Sequence, residues 1–141
     1  MKMGDKYLDE TSVQHAIIKW LSKNNWQILD IPILHSKGVD IKAKHNRYGR
    51  YFSIETKGGK FSEVNFVYSL GQIITRMRDS GTTRNYYALG LPEQSAKIAI
   101  RRVPYQVAVK LCLHVFSVDI NGNVKLYSPK DLKKIQKKNL K

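Results

Sequence analysis

Three charged residues, Asp40, Glu55 and Lys57, fall where two neighbouring strands can carry them onto one sheet face. Val39, Ile41 and Ala43 alternate with Asp40, Lys42 and Lys44. Beyond the polar stretch Asn46-Arg47-Tyr48-Gly49, Phe52, Ile54 and Thr56 alternate with Tyr51, Ser53, Glu55 and Lys57. Two period-2 runs around a short polar turn predict a β-hairpin. Alternation points Glu55 and Lys57 the same way and turns Asp40 away from the apolar Val39/Ile41 face. A turn centred between Arg47 and Tyr48 sets Asp40 opposite Glu55; a turn one residue later sets it opposite Lys57. Either register brings Asp40 within about 5 Å of one partner and within diagonal reach of the other. Two carboxylates and an ammonium bordered by apolar strands are costly unless something uses them. The carboxylates repel each other, and a hard divalent cation relieves that repulsion. The competing reading is an exposed salt-bridge cluster, worth at most about 1 kcal/mol.

The elements that must position these residues follow from periodicity. Val13, Ala16, Ile17, Trp20 and Leu21 form one helix face, with Thr11 or Ser12 as N-cap and Asn24-Asn25 as the end. Trp26 to Ile31 reads as a strand stopped by Pro32, and Gly58-Gly59 ends the strand that carries Glu55 and Lys57. A second helix with Phe66, Val67, Leu70, Ile73, Ile74 and Met77 on one side ends near Ser80-Gly81. Tyr86 to Leu91 is a buried strand closed by Pro92, and Pro104 opens a third helix through Val107, Ala108 and Leu111. Val115, Phe116 and Val118 form a strand that turns at Asn121-Gly122 into Val124 to Tyr127. The order is α-β-β-β-α-β-α-β-β with a short basic helix last, an α/β class with a mixed sheet between helices.

At 141 residues the chain is expected to be a single domain, 42% hydrophobic and 26% charged, which argues against intrinsic disorder. The opening Met1 to Lys6 lacks the apolar stretch of a signal peptide, and no apolar run reaches the length of a membrane span. Cys112 is the only cysteine, so neither an internal disulfide nor a multi-cysteine zinc site can form, and a cytoplasmic location is expected. His15, His35, His45 and His114 show no metal-ligand spacing. With 25 Lys plus Arg against 11 Asp plus Glu, the formal charge is +14, which suggests a polyanionic partner. Lys60, Arg76, Arg78, Arg84, Arg101 and Arg102 are candidates for phosphate contacts, with Arg101-Arg102 in a loop or at the start of a helix. Residues 125–141 hold seven Lys and one Asp, and read either as a solvated, frayed helix or as a non-specific nucleic-acid contact.

Gly38-Val39-Asp40, then fourteen residues, then Glu55-Thr56-Lys57 resembles the signature of the PD-(D/E)XK nuclease superfamily, with Val39 in place of the proline. The resemblance covers Glu10 to about Leu91. It implies a restriction-endonuclease-like α-β-β-β-α-β core (residues 10–91), leaving a helix and β-hairpin as a C-terminal extension (92–128) and a basic tail (129–141). It further implies that Asp40 and Glu55 hold Mg²⁺ or Mn²⁺. Lys57 would orient or deprotonate the attacking water, or stabilise charge on the phosphate. Many members add a glutamate from the first helix, a place Glu10 can take, being within about 20° of Ile17 around the helix. RecB-like members carry Gln-x-x-x-Tyr on the following helix; here Gln72 matches and Arg76 replaces the tyrosine. Arg76 suits a phosphate contact better than a tyrosine would.

The expectation is therefore a metal-dependent DNA nuclease, with RNA as a further fitting substrate and a homodimer as the assembly common among small relatives of this kind. The alternatives are a resolvase of branched DNA, a non-catalytic nucleic-acid-binding module on the same fold, and a basic subunit of a nucleoprotein assembly.

Overall fold

In the computed structural model, residues 7–30, 40–77 and 85–139 are described. Helix α1 (Glu10–Lys23) starts earlier than the Thr11/Ser12 cap expected from sequence. Asp9 is the N-cap, its carboxylate accepting from the Ser12 N–H at 2.8 Å. That bond holds the Asp9 carboxyl below its usual range and makes Glu10 the first helical residue. Val13, Ile17 and Leu21 are its buried stripe.

Strands β1 (Trp26–Asp30), β2 (Ile41–His45) and β3 (Tyr51–Thr56) run antiparallel to one another in turn. The β2–β3 register pairs Ile41 with Ile54 and Lys44 with Tyr51, which centres the turn between Arg47 and Tyr48. His45 closes that turn, its Nδ1 accepting from the Arg47 and Tyr48 N–H groups. Helix α2 (Glu63–Thr75) follows, capped by Ser62 and ending at Arg76, short of the Ser80-Gly81 stop expected from sequence; that pair lies outside the described residues. Strand β4 (Asn85–Pro92) pairs parallel with β3, and β5 (Leu113–Val118) pairs parallel with β4. β6 (Val124–Tyr127) returns antiparallel through a turn in which Asp119 accepts from the Asn121 and Asn123 N–H groups. One mixed six-stranded sheet in the order β1 to β6 results, so the C-terminal hairpin extends the sheet that carries the candidate residues.

Between β4 and β5 lie two helices where one was expected. α4 (Tyr105–Leu111) follows Pro104 as anticipated, but α3 (Glu93–Arg102) was not read from the sequence. Its N-cap is Pro92 with no side-chain cap bond, and its buried face is Ser95, Ala96, Ala99 and Ile100, too small and too little apolar to stand out as a period. Arg101-Arg102 thus ends a helix instead of preceding one. The basic tail is a docked helix, not a frayed one. α5 (Pro129–Asn139) buries Leu132, and Gln136 donates to the Ile100 and Val103 carbonyls while accepting from the Tyr105 N–H.

The sheet separates two apolar layers. α1 covers Ile41, Ala43, Phe52, Ile54, Ala88, Phe116 and Val118, while α2 to α5 cover Leu89, Leu91, Leu113 and Val115 on the other side. Gly90 lets α1 lie close: a β-carbon there would meet the Ile17 side chain at 2.4 Å. Among the described residues no helix is long and apolar enough to cross a membrane.

His114 is buried on β5, stacked on Tyr86 and edge-on to Phe52, with Nδ1 hydrogen-bonding the Cys112 carbonyl at 3.0 Å. Desolvation pushes its pKa down to about 4. The folded state therefore resists a proton that the unfolded chain accepts near its ordinary value. The contribution of His114 to stability is therefore full above about pH 6.5 and is lost, by about 3 kcal/mol, as pH drops through 6.5 toward 4. Urea unfolding of wild type and His114→Phe across that window should diverge by this amount, the wild type losing the more stability toward pH 4. An equal slope in both would contradict the assignment.

Candidate active site

The candidate residues meet at the end of the sheet where β3 and β4 finish. Lys57 continues the parallel pairing by one bond, its N–H donating to the Gly90 carbonyl at 3.0 Å. Continuing the β2–β3 register by one step sets Asp40 across from Glu55, the first of the two arrangements allowed by the sequence. Gly58 then brings the exit of β3 against the start of α1. A β-carbon there would lie 2.1 Å from the Glu10 nitrogen, and the Gly59 N–H donates to the Leu8 carbonyl. The glycine pair is thus more than a strand stop, because it lets Glu10 approach the carboxylates.

Asp40 is held through one oxygen. Its Oδ2 accepts from the Thr56 N–H at 2.8 Å and the Thr56 hydroxyl at 3.0 Å, and that hydroxyl accepts from Gln14 Nε2 at 2.8 Å. Neither Gln14 nor Thr56 was singled out from the sequence. The available signals were the i, i+4 relation of Gln14 to Glu10 and the alternation that turns Thr56 toward α1.

Glu55 is only 2% exposed, and its pKa is pushed up to about 8. Burial is the main cause and the negative charge of Asp40 the next; the Arg76 guanidinium and then Lys57 oppose them. Glu10, although largely exposed, is also raised, first by partial desolvation and then by Asp40, with Lys57 pulling the other way. Glu10 and Glu55 thus each feel the charges of Asp40 and Lys57, even though no group of three His, Cys, Asp or Glu side chains is gathered as a ready-made cage among the described residues.

Arg76 is committed differently from expectation. Its Nη1 bridges both Glu55 oxygens, 2.5 Å from Oε1 and 2.9 Å from Oε2, so in this state the guanidinium offsets the charge of Glu55 instead of facing outward to a phosphate. One helical turn earlier, Gln72 is half-buried, and its Oε1 is buried with no hydrogen-bond partner among the described residues. Lys57 is half-buried with Nζ over the Tyr68 ring, 5.4 Å from its centroid. Lys60 is exposed and lines, with Lys57, Phe61, Ser62 and Asn65, a pocket of about 20 Å³, room for one water.

The chain matches no protein-family model, no curated protein and no solved structure. Function therefore has to be argued from the site itself.

Of the remaining phosphate candidates, Arg78 and Arg84 lie outside the described residues. Arg102 pairs with Glu63 at 2.9 Å and lies over the Phe66 ring, away from Glu55. His35 also lies outside the described residues. A larger depression of about 350 Å³ sits at the far end of α1, lined by Lys19, Trp20 and Lys23, and holds no carboxylate.

The donor set suits a hard divalent ion. Mg²⁺ is commonly held by one or two carboxylates, with water and substrate phosphate completing its coordination. Asp40 and Glu55 can supply the carboxylates, with Glu10 beside them. Removing Arg76 tests the electrostatics independently of any metal. Arg76→Met takes away a charge that lowers the Glu55 pKa, so the cost to folding is small near pH 6, where Glu55 is protonated. It should grow by about 1 kcal/mol toward pH 9, one pH unit above the Glu55 pKa, beyond which the variant escapes further cost by keeping Glu55 protonated. Chemical unfolding at the two pH values measures this, and a pH-independent loss would contradict it.

Proposed function

We propose that the chain is a metal-dependent nuclease that hydrolyses phosphodiester bonds in DNA. The observation that carries this reading is the convergence of Asp40, Glu55 and Lys57 at the end of the sheet where β3 and β4 finish, with the proton affinity of Glu55 raised first by its burial and then by Asp40. Structural ion pairs seldom place one carboxylate against another in a buried position, whereas sites awaiting a cation do. The resemblance to PD-(D/E)XK nucleases supports the same assignment, and the net charge of +14 favours a polyanionic substrate.

Bound Mg²⁺ or Mn²⁺ supplies an acidified water and offsets charge on the phosphoryl oxygens. The residues of the chain divide the remaining work. Asp40 and Glu55 would hold the ion, and Thr56 with Gln14 fixes the Asp40 carboxylate, the kind of support that keeps a ligand oriented. Lys57 contributes a fixed positive charge beside the reacting phosphate. The water oxygen would bond to phosphorus as the bond to the leaving oxygen breaks, the water giving a proton to solvent and the leaving oxygen taking one from solvent, so that the products are a phosphate monoester and an alcohol. With an ion on Glu55, Arg76 would no longer be needed there and could serve the phosphate instead.

A second reading, a non-catalytic DNA-binding module, is favoured by one observation: Arg76 already provides Glu55 with a cation. One assay separates the two. Supercoiled, linear and four-way-junction DNA are incubated with Mg²⁺, Mn²⁺ or EDTA, using wild type, Asp40→Ala and Lys57→Ala. The nuclease reading expects metal-dependent cleavage that falls at least about 100-fold in both variants, and the preferred substrate chooses between general and branched-DNA cleavage. DNA that is bound yet left intact by the wild type with both metals would favour the binding module.

A further inference from the structure

The proposed nuclease site has a neighbour that its chemistry does not use. On α2, Val64, Val67 and Tyr68 share one face and are 75%, 57% and 59% exposed, while Phe66, Ser69 and Ile73 fill the opposite, buried face. Gly71 continues the exposed row, and the space where its β-carbon would stand is open. An exposed apolar face of this kind marks a contact surface. Residues 63–75 contain no Lys or Arg, which sets this face apart in a chain of charge +14. Its rim is basic, with Lys57 lying over the Tyr68 ring and exposed Lys60 beside the start of the helix.

We propose that this face is a stacking platform for unpaired bases of a DNA strand entering the site, with Tyr68 as its anchor. The argument is one of matched amphipathicity. A single strand presents flat apolar bases along one side and phosphates along the other, which is the pattern of Tyr68, Val64 and Val67 beside Lys57 and Lys60. A duplex hides its base faces and offers this surface only phosphates, which find no positive charge on α2 itself. The adjacent pocket of about 20 Å³ is too small for a base, so stacking takes place on the exposed ring. Because Lys57 touches that ring, a base seated there lies next to the proposed cleavage point. The substrate class that follows is DNA with an unpaired segment: a single strand, a frayed end or a junction. This rests on the nuclease reading for the role of Lys57, but the platform itself is tested without cleavage.

The test is fluorescence anisotropy in EDTA, using a fluorescein-labelled single strand and the corresponding duplex. Base–aromatic stacking is worth about 1–3 kcal/mol per base. Tyr68→Ala should therefore weaken single-strand binding at least about 5-fold and leave duplex binding unchanged, while Tyr68→Phe stays within about 2-fold of wild type. The salt dependence of single-strand binding should not change in Tyr68→Ala, because no phosphate contact is removed. Tyr68 is exposed, and unchanged circular dichroism will show that the variants fold. Single-strand binding equal to wild type in Tyr68→Ala, or an equal loss on strand and duplex, would overturn the platform and leave the nuclease reading standing. A wild-type dimer lost in Tyr68→Ala with DNA binding unchanged would assign the face to a second copy and overturn it too. Failure of the wild type to bind either DNA would overturn the nuclease reading and the platform together.

Discussion

Glu55 is almost wholly removed from solvent and faces the charge of Asp40, a position in which two carboxylates do not both stay ionised without a cation or a proton. Much of the local architecture answers that conflict. α2 ends where it brings Arg76 onto Glu55, Lys57 follows two residues along the same face, and Thr56 donates twice to a single oxygen of Asp40. Arg76 and Lys57 pull the Glu55 pKa down, yet burial first and the charge of Asp40 second hold it near 8, so relief is incomplete. A divalent ion would complete it, and the same unrelieved charge is what would give such an ion its affinity.

The site is also rigid where it needs to be. Asp40 precedes β2 and is not itself within the ladder, so its position rests on side-chain bonds. The Gln14–Thr56–Asp40 chain ties it to α1, and α1 is seated on the sheet by Gly90 and by the contact of Gly58 with Glu10. Three elements distant in sequence thereby fix one carboxylate. Tyr68, by contrast, is exposed and meets the site through Lys57.

The hairpin that carries the site was legible in the sequence because β-hairpins announce themselves locally. Alternation gave the two strands, the polar stretch at residues 46–49 gave the turn, and the register that centres it between Arg47 and Tyr48 followed as one of two options. The Asn121-Gly122 turn was legible for the same reason. Helix α3 was not, because a face of serine and alanine carries little hydrophobic contrast. The Arg76–Glu55 pair joins residues 21 apart through the packing of a helix on a sheet, and no local rule reports that. Thr56 lay between two recognised residues but was passed over because it faces the other way. His114 alternates with Phe116 on β5, a spacing that signals its burial once the strand is accepted.

Metal binding itself, apart from turnover, is the most direct test of the central claim. Titration calorimetry with Mn²⁺ on the wild type near pH 8, beside Asp40→Asn and Glu55→Gln, requires neither substrate nor partner. The wild type should bind saturably and each variant at least about 100-fold more weakly, with circular dichroism unchanged. A wild type that binds no Mn²⁺, or variants that bind it as well as the wild type does, would contradict that claim.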